Sequence, residues 1–109
     1  MTDRELIEKA ANAAGFAHNG WHFADSSLAL EGFNDRRWNP ITDDGDALRL
    51  AMKLNLLILP YPEDNAVRVV DFQSYREPKN TIVSWGTPPD ALAATRRAIT
   101  MAAASLDTQ

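Results

Sequence analysis

Residues 43–54 read Asp43-Asp44-Gly45-Asp46-Ala47-Leu48-Arg49-Leu50-Ala51-Met52-Lys53-Leu54, a helix with too little polar surface for the outside of a small protein. At about 100° per residue, Asp46, Arg49 and Lys53 share one sector of about 60°. Ala47, Leu48, Leu50, Ala51, Met52 and Leu54 fill an arc of about 200°, twice the stripe of an ordinary surface helix. Such a helix needs cover on two sides. A sheet supplies one. The other is either the aromatic-bearing segment 16–38 of the same chain, the leading expectation, or a second copy in a homodimer.

The chain must build that cover from 109 residues, which make a single domain, 1–109. With 45% hydrophobic and 24% charged residues it has the make-up of a soluble globular protein. Cysteine is absent, which excludes disulfides and thiolate metal sites and fits a reducing cytoplasm. Met1-Thr2-Asp3-Arg4-Glu5 shows no basic lead into an apolar stretch, so no secretory signal is expected. No apolar run approaches the ~18 residues that span a bilayer. A net charge of −4 argues against nonspecific nucleic-acid binding and is too small to suggest DNA mimicry.

Helix starts organise the rest. Thr2-Asp3-Arg4-Glu5 is a capping box, and its helix should run to Ala14, where Gly15 supplies the left-handed end and Phe16 the apolar contact. Thr42 or Asp43 caps the second helix. Thr87-Pro88-Pro89-Asp90 opens a third that should reach Leu106, with Leu92, Thr95, Ile99, Ala102, Ala103 and Leu106 as its core stripe. Between the second and third, Leu56-Leu57-Ile58-Leu59 reads as a buried strand ended by Pro60-Tyr61-Pro62. Glu63-Asp64-Asn65 is turn chemistry. Residues 66–72 and 81–85 read as two more strands, giving an antiparallel meander. Segment 16–37 is the least legible; Ser27-Leu28-Ala29-Leu30 is a further strand or part of an irregular loop. The whole predicts an α+β fold, about three helices with a small antiparallel sheet of three to four strands.

The candidate site residues are Trp38, Asn39, Asp43, Asp44, Asp46, Arg49, Arg96 and Arg97. Three acids within four residues can in principle hold a divalent cation through oxygen, but they lack the alternation of a calcium loop. Acids in a first helical turn more simply cap free N–H groups and complement the helix dipole. Trp38-Asn39-Pro40 reads as a buried anchor and an extended lead-in to the helix. Arg36-Arg37 and Arg96-Arg97 would suit a phosphate if they met in space; solvated surface arginines are the default. His18 and His22, with Asp25 nearby, have metal-ligand spacing only on a helix, which Asn19-Gly20-Trp21 opposes. Trp85 is expected in the core or at its rim. No catalytic motif is present: no nucleophile elbow, no Walker loop, no zinc-binding His pair. No catalytic residue, metal site or cofactor is therefore assigned.

Trp38-Asn39-Pro40-Ile41-Thr42-Asp43-Asp44-Gly45-Asp46-Ala47-Leu48-Arg49-Leu50-Ala51-Met52-Lys53-Leu54 resembles the long central pattern of the phage ABA-sandwich domain family, small phage and prophage proteins. Ala94-Thr95-Arg96-Arg97-Ala98-Ile99 followed by Ala102-Ala103-Ala104 is similar to the family's closing helix, and the opening helix with its Ala-Ala-Gly end is similar too. Together these cover roughly half the chain by position. Asn55 stands where the family pattern favours glycine, and asparagine also accepts the left-handed conformation. The resemblance implies a three-layer α/β/α sandwich, encoded by a phage or prophage, working in the cytoplasm of the bacterial host. It implies no activity and no functional residues.

These readings lead to a non-catalytic protein that binds a host or phage macromolecule, with a homodimer as one form of that binding and nucleic acid and membrane not expected as partners. The alternative is a small-molecule- or divalent-metal-dependent enzyme using the Asp43/Asp44/Asp46 cluster, with Arg49 or the histidines.

Overall fold

The computed structural model describes residues 2–22, 27–30, 36–71, 81–84 and 91–107. Three helices carry the fold: α1 (Asp3–Ala14), α2 (Asp44–Leu54) and α3 (Ala91–Ser105). The first begins on the N-cap of the expected box, with Thr2 Oγ1 accepting from Glu5 N at 3.2 Å. It ends on Gly15 at φ 77°, where Gly15 N donates to Asn12 O and Phe16 N to Ala11 O. Those two bonds satisfy carbonyls that the helix leaves open, and only a residue content with positive φ can make them at low cost. Asn55 ends α2 in the same way at φ 54°.

The six strands β1 (His18–His22), β2 (Ser27–Leu30), β3 (Arg36–Trp38), β4 (Leu56–Tyr61), β5 (Ala66–Asp71) and β6 (Thr81–Ser84) form two antiparallel sheets, β1-β2-β3 and β4-β5-β6. The second is the expected meander. Its register runs from Leu56 opposite Asp71 to Tyr61 opposite Ala66, and from Ala66 opposite Ser84 to Val69 opposite Thr81. A 3₁₀ turn at Pro62–Asp64, closed by Asn65 at φ 48°, joins β4 to β5. The first sheet lies in the segment that patterning left illegible. It is short, and a register shift between His18 and Trp21, with Gly20 at φ 110°, breaks the period on which strand recognition relies.

The α+β class read from the sequence is the class observed, with three helices and antiparallel sheets. Three finer expectations change, the first being the single sheet of three to four strands, since the described strands fall into two sheets of three. Strand β4 runs on through Pro60 and is half-buried, not buried, because among the described strands it pairs with β5 alone and an edge strand tolerates proline. Thr87, Pro88 and Asp90, the expected caps of α3, lie outside the described residues, as do Phe72 and Trp85. The third change concerns which helix is covered on two sides. That helix is α3. It packs against α1 and α2 and also against β5 and β6. Ala94, Ala98, Ile99, Thr100, Ala102, Ala103 and Ala104 are all buried, whereas Leu92 and Leu106 of the expected core stripe are exposed. Alanine makes this possible, because short side chains let a helix approach neighbours on opposite sides without overpacking. Thr100 Oγ1, fully buried, returns its hydroxyl to Arg96 O at 2.8 Å.

The core joins Ile7, Ala10, Ala11 and Ala14 of α1 to Leu28, Leu30 and Trp38 of the first sheet, Ala47, Leu50 and Ala51 of α2, Val67 and Val69 of β5, and the inner alanines of α3. Among the described residues, no helix is long and apolar enough to cross a membrane.

Candidate functional site

The 38–46 segment is built around two side chains. Trp38 ends β3 fully buried, its ring meeting Phe16 edge-on at a centroid distance of 5.6 Å. Asn39 then organises a turn. Its Oδ1 accepts from Ile41 N at 3.0 Å and Thr42 N at 3.3 Å, while its carbonyl accepts from Thr42 N and Asp43 N. The chain thus runs extended through Trp38, as expected before Pro40, and then closes into a side-chain-held turn over 40–42 that leads into α2.

The three acids point three ways. Asp43 is the N-cap of α2, its Oδ2 accepting from Asp46 N at 2.8 Å. Asp46 turns inward and is only 4% exposed; Oδ2 accepts from Asn39 N at 3.0 Å, and Oδ1 takes Nη2 of Arg49 at 2.7 Å. Asp44 turns outward to Arg96, whose Nη1 lies 2.6 Å away and whose Nε donates to Ile41 O at 2.8 Å. A cation needs its ligand oxygens converging on one point at 2.0–2.6 Å. These carboxylates instead cap the helix, tie it to the preceding turn, and tie it to α3. Among the described residues, no three His, Asp or Glu side chains gather as a metal-ligand group.

Arg49 lies back over the helix start, and Gly45 makes room for it: a Cβ there would stand 3.1 Å from Nη2 of Arg49. Arg97 leaves its neighbour and pairs with Asp3 of α1 at 2.8 Å. Arg96 and Arg97 therefore fasten α3 to two different helices and do not converge on one phosphate. Arg37 lies in β3, and the side chain of Arg36 is outside the described set. His18 and His22 sit at the two ends of β1, where four residues of strand separate backbones by about 13 Å. Nε2 of His18 lies 3.3 Å from Asn12 Oδ1, and Asp25 is outside the described residues. A hollow between the start of α1 and the 39–42 turn is lined by Thr2, Asp3, Arg4 and Asn39. Its polar groups are largely used within the protein: Thr2 caps α1, Asp3 holds Arg97, and the Arg4 guanidinium stacks 5.1 Å from the Trp21 ring centroid.

Beside these charged and polar groups lies an exposed apolar patch. Of the 200° arc on α2, Ala47, Leu50 and Ala51 are buried and Leu54 is half-buried. Leu48 is 58% exposed and Met52 71% exposed, one helical turn apart on the outer side. Leu92 of α3, 67% exposed, lies beside Leu48 across a hollow floored by Ile58 and Ile99. A second hollow, beside Met52, continues the patch over Leu56 and Leu57. The wheel placed Leu48 and Met52 in an over-wide apolar arc but not on which side of it the protein ends. Leu92 gave no signal at all, since its period matches the core stripe.

No family model, curated protein or solved structure compared with the chain matches it.

Proposed function

We propose that the chain is a small non-catalytic binding protein that engages a macromolecular partner through the outer side of α2. One observation carries this reading: Leu48, Met52 and Leu92 stand exposed together, next to further half-buried apolar residues of β4. Contiguous apolar surface of this kind marks interaction sites, because leaving it in water forgoes about 25 cal/mol per Å² of burial. The charged candidates support the reading from the other direction. Asp43, Asp44, Asp46, Arg49, Arg96 and Arg97 each have a structural partner inside the chain, so an enzyme built on the acids would have to dismantle the start of its own helix.

The Trp38–Leu54 resemblance supports reading it as a phage or prophage accessory protein of the phage ABA-sandwich kind, acting in the bacterial cytoplasm. Affinity capture of the tagged chain from such host cells tests the proposal. A reproducible stoichiometric partner, a second copy of the chain included, is expected. Absence of any partner, combined with turnover in a nucleotide or sugar screen, would overturn it. A thermal-shift screen against divalent ions and nucleotides tests the enzyme alternative, since a ligand at ~100 times its dissociation constant adds ~2.7 kcal/mol of stability.

A further inference from the structure

We propose that Arg68 anchors a carboxylate-binding site on the face of the second sheet that turns away from α3. Arg49, Arg96 and Arg97 pair with carboxylates of the chain, Arg4 lies over the Trp21 ring, and Arg37 has a partner as well. Arg68, though partly buried, has no such partner among the described residues. Its Nε is, among those residues, the one buried side-chain nitrogen or oxygen without a hydrogen bond. A guanidinium that gives up water without gaining an acceptor is costly, which is why buried polar groups are almost always paired. Snorkelling does not remove the cost, since a snorkelling arginine carries its donors out to water and this Nε stays behind.

The register fixes what surrounds this charge. β5 is the central strand of its sheet, and Val67 and Val69 belong to the core beside α3. By the two-residue period of a strand Arg68 points the other way, between Ala66 and Val70, both buried. Asp71 of the same strand falls on the opposite face by the same period. Leu59 stands directly across from Arg68 on β4, with Leu57 and Tyr61 diagonal to it. Leu57 and Leu59 are half-buried and Tyr61 is 40% exposed, so apolar surface beside the guanidinium can be reached from the β4 side. No second cation lies on this face among the described residues, so one positive charge is matched by one negative charge. A phosphate dianion would leave charge unneutralised against leucine, whereas a carboxylate is singly charged, planar and suited to the guanidinium fork. The apolar neighbours specify the rest of the molecule, an aliphatic or aromatic body lying on Leu57, Leu59 and the Tyr61 ring. The ligand class is therefore an amphipathic monocarboxylate. One ion pair over a shallow apolar flank gives an affinity on the order of 1 mM.

Thermal melting of the full chain with octanoate as the probe reads the site. Octanoate should raise the melting temperature saturably. Octan-1-ol, which has the tail without the charge, and acetate, which has the charge without the tail, should each raise it less. Arg68→Met should abolish the octanoate shift, and because it removes an unpaired buried cation, the ligand-free variant should melt no lower than the wild type. Arg68→Lys keeps the charge and loses the fork, and should weaken octanoate about tenfold. No saturable octanoate shift, or a shift retained in Arg68→Met, overturns the proposal, as does inorganic phosphate acting more strongly than octanoate. An Arg68→Met chain that melts well below the wild type also overturns it, since the guanidinium would then have its partner inside the chain.

Discussion

At the scale of single residues, the acids of the 43–46 segment are explained by the backbone around them. Asp43 accepts from a free helix N–H, and Asp43→Ala should lower stability by about 1 kcal/mol in chemical denaturation. Asp46 is the more consequential carboxylate because it is buried. Asp46→Ala strands the buried N–H of Asn39 and removes the nearer of the two acids beside Arg49, and an unfolding free energy lower by about 1–3 kcal/mol is expected. An unchanged denaturation midpoint in both variants, with loss of divalent-ion binding, would reverse the structural assignment. Residue type and position narrowed the cap to Thr42 or Asp43, and Asp43 is the one that caps. The sequence did not announce Asp46 as buried: Asn39-Pro40 is turn chemistry, but that the Asn39 N–H then meets a carboxylate seven residues on depends on how the turn folds back over the helix start.

At the scale of elements, composition and covering separate the helices. The wheel singled out α2 as the helix needing two-sided cover, yet α3 is the one that has it. The reason is physical. Periodicity counts apolar positions and overlooks how closely their neighbours can approach, and alanine scores as weakly apolar while permitting the tightest approach. Ala98 has no exposure between its neighbours, so Ala98→Leu should overpack the site and cost about 1–3 kcal/mol. Leu48→Glu, on the outer side of α2, should change stability by no more than about 0.5 kcal/mol. Denaturation of the two variants side by side checks both. The meander of β4, β5 and β6 was legible because branched residues and turn chemistry agree over adjacent runs. The first sheet was not, because Gly20 and the register shift in β1 interrupt its alternation.

At the scale of the whole molecule, the site divides into an interior that the charges hold together and an exterior left apolar. Arg96 fastens α3 to Asp44 and the 39–42 turn, and Arg97 fastens it to Asp3 of α1. These pairs are exposed or partly exposed and contribute little each; the packing of α2 on α3, α1 and β4 is what holds Leu48 and Met52 in place. The over-wide apolar arc of α2 was thus legible in the sequence, but not which of its side chains stay exposed. Its charges drew attention, while the side chains that face outward looked like core. The division is tested most directly by comparing what the tagged chain retains, untagged copies of itself included, with Leu48→Glu and Asp43→Ala substituted separately. Leu48→Glu should lose the bound partner at unchanged stability, and Asp43→Ala should keep it at reduced stability. The opposite pattern, binding lost with Asp43→Ala and kept with Leu48→Glu, would contradict the account and return function to the acids.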